Sequence, residues 1–239
     1  MWAIIPAAGE GSRLREVTQG TPKCLVEVGG RPLLHHLLER VLEVCSHVCL
    51  VVPPDSTLID RAILAFGSSA PIHRVVQPRP VGLADAVGRA AEVVDGPAFL
   101  TMGDGFYAGG FSFVRDVPEG HGALLVEDRD PPPGEAAGWV LPSDQGRALE
   151  VWKGDRRVPA ARRIAGGFLL QPPVLRRLAV TQGTQLFETL IDRSIAAGDS
   201  YHLIQVPEQR WNVNTPEQLE SLRDWYQANV SRNPHPAAG

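Results

Sequence analysis

The chain has 239 residues, of which 44% are hydrophobic and 21% are charged, and its formal net charge is −4. This balance is ordinary for a globular protein with a sizeable core, and the slight acidity argues against a general nucleic-acid binder. We interpret the basic run AARRIAGG as solvated or substrate-facing. The sequence lacks an apolar run of about 18 residues and a signal peptide, so we expect no membrane span and a cytoplasmic protein. Three cysteines without CxxC or zinc-like spacing indicate reduced thiols.

Strands and helices alternate in the first half of the chain. The predicted elements are a strand in WAIIPA, a helix in PLLHHLLERVLEV, a strand in HVCLVVPP, a helix in STLIDRAILAFG, a strand in HRVVQ, a helix in GLADAVGRAAEVV and a strand in PAFLTMGD. This alternation with short links is typical of right-handed βαβ units. It predicts a Rossmann-like α/β fold in which a mainly parallel sheet lies between two layers of helices. Ligands bind such sheets at the carboxyl ends of the strands, where Gln77 and Asp104 fall.

The second half is less regular. Strands are predicted in GALLVED and on either side of the turn DQG in GWVLPSDQGRALEVWK, and AGGFLLQPPVLRRL is predicted to run from strand to helix. Helices in TQLFETLIDRSIAAG and TPEQLESLRDWYQANV flank a strand in YHLIQVP. Thr215, Pro216 and Gln218 have the pattern of a capping box with proline in the first helical position. We predict one domain over residues 1–230, with a small β elaboration on the substrate side, and a flexible tail over 231–239.

The loop after the first strand has the composition of an anion-binding site. Gly9 and Gly11 let backbone N–H groups approach an anion without a side chain in the way. Arg13 adds a fork of donors suited to phosphate oxygens, and Lys23 adds a point charge later in the same segment. The spacing is neither that of a Walker P-loop nor that of a dinucleotide fingerprint. The sequence therefore predicts a phosphate site of another class.

The stretch PAAGEGSRLREVTQGTPKCLVEVGGRPL resembles the signature of the nucleotidyltransferases that make activated sugars and related compounds. It matches nearly every fixed place of the patterns A-G-x-G-[ST]-R-L, T-x-x-x-P-K and V-x-G-x-P-L. The likeness continues through VQPRPVGLADAV, FLTMGD, EVWK, AGGF and WNVNTPEQL, and so covers most of the chain. The resemblance implies that an acceptor phosphate attacks the α-phosphorus of a nucleoside triphosphate and releases pyrophosphate. Such chemistry needs alignment and charge neutralisation more than a protein nucleophile.

The resemblance assigns the nucleotide to the first half of the chain. It implies that Arg13 holds the β- and γ-phosphates and that Lys23 bridges the α-phosphate and the attacking phosphate. Asp104 follows a predicted strand and is placed to hold Mg²⁺ against the triphosphate. Gln77 matches the position that meets the edge of the base, where its amide can both donate and accept. The nucleotide-binding residues implied are Ala7, Ala8, Gly9, Gly11, Ser12, Gln77 and Gly82.

The resemblance assigns the acceptor to the second half. Lys153 matches a lysine that grips the phosphate of the acceptor, and Gly167 belongs to a glycine pair near the acceptor. Glu188 either faces the acceptor or is a solvated helix residue. Many relatives have aspartate as a second metal ligand where this chain has Asn212 and Asn214. Either amide could be an Mg²⁺ ligand or a cap of the last helix, and the alignment favours Asn212.

The sequence does not identify the substrates uniquely. The expected acceptor is a sugar 1-phosphate or a cyclic polyol phosphate, and a CTP-dependent enzyme for phosphocholine, inositol phosphate or a phosphonate is an alternative. Molybdenum-cofactor nucleotidyl transfer is a rival with a similar fold, although the TxxxPK spacing and the segments AGGF and VNTPEQL fit the sugar branch better. A non-catalytic nucleotide-sensing protein is a rival from another class. We expect a triphosphate and an acceptor as partners, without nucleic acid or membrane, and leave a homo-oligomer open.

Overall fold

The computed structural model describes residues 1–9, 18, 20–132, 135–155, 158–180, 185–206 and 209–230. The strands are β1 Trp2–Pro6, β2 Glu27–Val28, β3 Arg31–Pro32, β4 His47–Val52, β5 Ile72–Val76, β6 Ala98–Thr101, β7 Gly105–Tyr107, β8 Gly122–Glu127, β9 Ala137–Pro142, β10 Ala148–Gly154, β11 Arg162–Leu170, β12 Tyr201–Gln205 and β13 Arg210–Asn212. The helices are α1 Leu33–Leu42, α2 Thr57–Phe66, α3 Leu83–Ala90, α4 Pro172–Ala179, α5 Phe187–Ala196 and α6 Pro216–Asn229. Within the described residues, none of these helices has the length and apolar character needed to cross a membrane.

The central sheet has a parallel half and an antiparallel extension. β6, β1, β4 and β5 lie side by side in parallel pairs, as the alternation of strands and helices predicts. β11 is antiparallel to β6 and also pairs with β9 and β8, while β10 pairs with β9 at the outer edge. β12 is parallel to β8. The predicted α/β fold is confirmed, and the strands around β9 and β10 form its β elaboration.

Side chains of the sheet alternate between two hydrophobic cores. Ile4 packs in the core that includes Val87 of α3 and apolar residues of α4 and α5. The next residue, Ile5, packs in the core that includes Leu38 of α1 and apolar residues of α2. Successive residues of a strand point to opposite faces, so helices on both sides bury the sheet. This arrangement is the predicted three-layer α/β/α architecture.

The three cysteines, Cys24, Cys45 and Cys49, are buried free thiols. Burial raises the pKa of each thiol to about 12, which keeps the groups neutral and unreactive at ordinary pH. Cys45 and Cys49 belong to hydrophobic cores, where they pack as small apolar residues.

A short ribbon that the sequence does not signal joins the two halves at the carboxyl edge of the sheet. β13 is antiparallel to β7, with Asn212 opposite Gly105. Immediately beyond the ribbon, the backbone N–H of Val213 donates to the carbonyl of Asp104 at 3.0 Å. The predicted capping box at Thr215 is present and begins α6 just after the ribbon. The ribbon therefore places the segment before α6 beside the loop that carries Asp104.

Candidate active site

A cavity of about 210 Å³ opens at the carboxyl ends of β1, β5 and β6, and we call it the glycine-loop cavity. Residues 7–9, Lys23, Gln77, Gly82 and Asp104 contribute to its lining, together with apolar side chains. This is the edge at which parallel α/β sheets bind their ligands. The structure therefore brings together most of the nucleotide-binding residues expected from the sequence.

Three further expected residues of this site lie in the glycine-rich loop itself. Gly11, Ser12 and Arg13 fall outside the described residues. Their assignment to the triphosphate stays a prediction.

Lys23, Asp104 and Asn214 meet at one point. Lys23 begins a single 3-10 turn that is anchored by the buried Cys24, and Asp104 follows the end of β6. Lys23 Nζ lies 2.6 Å from Asp104 Oδ2 and also donates to Asn214 Oδ1. The Lys23 and Asp104 side chains are 16% and 22% exposed, so solvent only partly screens the pair. One cationic nitrogen thus lies between two oxygens that the sequence assigned to metal binding.

The oxygens of Asp104 and Asn214 suit a divalent metal. They already share one cationic neighbour, and Mg²⁺ in phosphoryl-transfer sites is held by one or two carboxylates together with substrate phosphates. Asn212 Oδ1 instead accepts a hydrogen bond from Arg210 Nη1. The alignment favours Asn212 as the ligand, whereas the structure places Asn214 beside Asp104. In the described ranges, no three His, Cys, Asp or Glu side chains group for metal binding, so a metal here would need amide and substrate oxygens as well.

Gln77 is buried, and its amide is oriented by α3. Gln77 Nε2 donates to the carbonyl of Gly82 at 3.1 Å and to Asp85 Oδ2 at 2.9 Å. A hydrogen bond from Arg89, assisted by the one from Gln77, lowers the pKa of Asp85 below its ordinary value. An ionised carboxylate only accepts hydrogen bonds, so Asp85 fixes Nε2 toward itself. Gln77 Oε1 is then the amide atom left for a base in the glycine-loop cavity.

We expect Asp85→Asn to weaken selection among nucleotide bases. Asparagine can donate as well as accept, so the Gln77 amide would no longer be held in one orientation. The ratio of dissociation constants for the preferred and a second triphosphate, measured by calorimetry, should fall roughly fivefold, or about 1 kcal/mol. As a control, Asp60→Asn on α2 neutralises the carboxylate that pairs with Arg74 of β5, and it should leave the ratio unchanged. An unchanged ratio in Asp85→Asn would contradict the orienting role.

A second cavity of about 400 Å³ adjoins the first, and we call it the arginine cavity. Leu83 and Met102 line both cavities, so the two meet there. Lys153 Nζ and Glu188 Oε1 lie 3.7 Å apart, and both residues line the arginine cavity. A hydrogen bond between the Val151 N–H and the Asp192 carboxylate ties β10 to α5 and so holds this pair together. The structure places Glu188 in the wall of the cavity, buried, which favours the first of the two roles that the sequence left open.

Of the adjacent glycines, Gly166 is the one that lines the arginine cavity. Its φ of +72° is a conformation that glycine adopts at little cost. Gly167 lies opposite Thr101 in the pairing of β11 with β6, and a Cβ there would lie 2.4 Å from Leu125 Cδ1. The sequence favours Gly167 for acceptor binding, whereas in the structure it permits close packing of β11 on the Leu125 side chain.

Arg210 is a residue of the site that the sequence analysis did not single out. It is 5% exposed, and its Nη2 donates to Glu127 Oε1 at 2.7 Å. Arg163 Nη1 lies 3.5 Å from the same carboxylate oxygen, and both arginines line the arginine cavity. Burial opposes the charge of Arg210, but Tyr107 and Glu127 keep its pKa above the ordinary value. The only signal in the sequence is an arginine directly before WNVNTPEQL.

Comparisons with known proteins show which enzymes this chain is similar to. Residues 3–108 match the MobA-like NTP transferase domain. The UTP–glucose-1-phosphate uridylyltransferase AglF of Haloferax volcanii is 24% identical over 240 residues, which cover 97% of this chain and 99% of the relative. A glucose-1-phosphate thymidylyltransferase of Streptomyces antibioticus is 29% identical over 184 residues, which cover 73% of this chain and 50% of the relative.

Among solved structures, the inositol-1-phosphate CTP transferase from T. maritima superimposes with a TM-score of 0.78 at 18% identity, covering 96% of this chain and 97% of that chain. Similarity at this level of identity concerns the fold. The sequence match to the MobA-like domain includes Lys23 and Asp104. The match to the uridylyltransferase AglF extends the similarity over the remaining chain. Residues 3–108 thus match a MobA-like NTP transferase domain, the similar proteins named above are nucleotidyltransferases, and the chain is an enzyme of this class.

Proposed function

We propose that the enzyme joins a nucleoside triphosphate to a sugar 1-phosphate and releases pyrophosphate. The observation that carries this proposal is the contact of Lys23 with Asp104 and Asn214. Lys23 and Asp104 line the glycine-loop cavity, and Asn214 lines the arginine cavity. The contact therefore lies where a nucleotide in one cavity would meet an acceptor in the other.

The arrangement suits in-line displacement at phosphorus. An oxygen of the acceptor phosphate forms a bond to the α-phosphorus, and the bond from the α-phosphorus to the bridging oxygen of pyrophosphate breaks. The acceptor phosphate is an anion, so no side chain needs to remove a proton. Lys23 would leave Asp104 and neutralise charge on the α-phosphate and the attacking phosphate. Alignment and neutralisation of this kind supply most of the rate enhancement in phosphoryl transfer.

We also propose Mg²⁺ as the cofactor, held by Asp104 and Asn214. The ion would neutralise charge on the triphosphate and on the departing pyrophosphate. Gly11, Ser12 and Arg13 are proposed as further contacts of the triphosphate. We propose that residues 1–230 act as one domain, since the two cores pack on opposite faces of the same sheet.

The proposed nucleotide is UTP or dTTP. Gln77 Oε1 is an acceptor, and uracil and thymine present an N3–H donor to such an atom. The uridylyltransferase and thymidylyltransferase among the relatives, both named for glucose 1-phosphate, support this base and a sugar 1-phosphate acceptor.

A matrix of triphosphates and acceptors, followed by release of pyrophosphate, tests the proposal. The triphosphates are UTP, dTTP, CTP, ATP and GTP, and the acceptors are glucose 1-phosphate, inositol 1-phosphate and phosphocholine, each with Mg²⁺. We expect turnover with UTP or dTTP and the sugar phosphate. Preference for CTP with inositol 1-phosphate or phosphocholine would overturn the proposed base and acceptor. No release with any combination would favour a nucleotide sensor over an enzyme.

A further inference from the structure

We infer that Arg210, rather than Lys153, receives the phosphate of the acceptor, an inference that rests on the proposed function. Lys153 and Glu188 then face the remainder of the acceptor. Arg210 lies close to the reacting end of the site. Arg210 donates to Asn212, which lies opposite Gly105, the residue after Asp104. The guanidinium is therefore connected, through Asn212, to the loop that carries the proposed metal ligand.

The guanidinium also lies beside the junction of the two cavities. A Cβ placed on Gly166 would be 3.3 Å from Met102 Cγ and 3.6 Å from Arg210 Nη1. Met102 lines both cavities, so Arg210 borders the region where the acceptor phosphate must approach the α-phosphorus. Lys153 lies on β10, the outermost strand of the path β10-β9-β11-β6. Arg210 is thus the better placed cation for the reacting phosphate.

Arg210 retains donor capacity in the structure. Its Nη1 and Nη2 donate to Asn212 and Glu127, while its buried Nε has no hydrogen-bond partner within the described part of the chain. An unsatisfied N–H on a buried charge costs stability and calls for a functional explanation. A guanidinium presents several donors in a fixed fork that matches phosphate oxygens. A bound phosphate would supply acceptors that the protein itself does not.

The charged groups around the arginine cavity have a net positive charge, which favours the binding of an anion. The charged residues that line it or bond to Arg210 are the cations Arg129, Lys153, Arg163 and Arg210 and the carboxylates Glu127, Glu135 and Glu188. These groups carry one positive charge in excess. Glu127 is shared by two guanidinium groups, whereas Lys153 has Glu188 as its own partner. The excess positive charge therefore lies at the arginines. The charges of Lys153 and Glu188 balance each other, and this pair suits the hydroxyl groups of a sugar.

Arg210→Met and Lys153→Met form a matched pair of variants, because each replaces a long cation by an uncharged chain. Glucose 1-phosphate and galactose 1-phosphate, used as substrates or competitive inhibitors, share a phosphate and differ at one hydroxyl. We expect Arg210→Met to raise the KM or inhibition constant of both by the same factor, roughly 10- to 100-fold. The dissociation constant of the triphosphate should stay within twofold in this variant. Lys153→Met should change the ratio between the two sugars.

Two results would overturn the inference. The first is an equal loss of affinity for both sugar phosphates in Lys153→Met, with little change of these affinities in Arg210→Met. The second is a loss of triphosphate affinity in Arg210→Met. Because Arg210→Met also removes a partner of Glu127, the double variant Glu127→Gln, Arg210→Met is measured with it. A merely structural Arg210 predicts that the double variant regains wild-type acceptor constants, whereas we expect them to stay high. An inactive wild-type enzyme would instead contradict the proposed function.

Discussion

Replacement of Lys23 by alanine is expected to lower kcat about 10²- to 10³-fold, with a smaller effect on triphosphate affinity. The ammonium group lies between Asp104 and Asn214 and would neutralise charge that builds on phosphate oxygens in the transition state. Interactions that strengthen in the transition state act on kcat rather than on substrate binding. Stability should fall by about 1–3 kcal/mol, because the pair is mostly shielded from solvent and Asp104 loses its cationic partner.

The measurement is steady-state pyrophosphate release, combined with calorimetry of triphosphate binding and thermal unfolding of each variant. Arg74→Ala serves as a control, because it removes an exposed cation that pairs with Asp60 on α2, and it should leave kcat unchanged. Turnover in Lys23→Ala close to that of the wild type would contradict the role of Lys23.

Replacement of Asp104 by asparagine is expected to lower kcat by about 10²-fold or more at limiting Mg²⁺ and to raise the Mg²⁺ concentration needed for half-maximal activity. The change keeps the shape of the side chain and removes the charge that attracts the metal. Removal of divalent metal with a chelator should abolish turnover in the wild type. Full activity after chelation would contradict a metal requirement.

The Mg²⁺ dependence of activity also distinguishes the roles of Asn212 and Asn214. Asn214 shares its cationic neighbour with Asp104, whereas Asn212 is bonded to Arg210, so Asn214→Ala should weaken metal binding more than Asn212→Ala. Asn214→Asp adds a carboxylate and should tighten it. Mn²⁺ binding, followed by electron paramagnetic resonance with a non-hydrolysable triphosphate, gives a readout independent of turnover. The opposite order of the two alanine variants would assign the metal to Asn212.

Local patterns in the sequence predict most of the parallel half of the sheet and its helices. The apolar run of β4 ends at two prolines, and Thr215 begins α6 with a capping box, so these signals lie within a few residues of the structure that they specify. The convergence of Lys23, Gln77 and Asp104 also follows from sequence, because parallel strands end at a common edge.

The parts of the site that sequence does not predict depend on register and on distant pairing. β7 and β13 are three residues each, too short to show alternation, yet their pairing decides that Asn214 meets Lys23. A shift of one residue reverses the face of a strand, so the choice between Gly166 and Gly167 needs the register of β11. Arg210 can be identified as a residue of the site only from the structure, in which it donates a hydrogen bond to Glu127.

The two lysines of the chain, Lys23 and Lys153, permit a direct test of where the triphosphate binds. Reductive methylation with ¹³C-formaldehyde labels both, along with a free amino terminus, and a Lys153→Arg variant assigns the resonances. Addition of a non-hydrolysable UTP or dTTP analogue with Mg²⁺ is predicted to shift the Lys23 methyl resonance and to leave that of Lys153 in place. A spectrum in which saturating nucleotide leaves the Lys23 resonance unmoved would contradict the contact between Lys23 and the triphosphate.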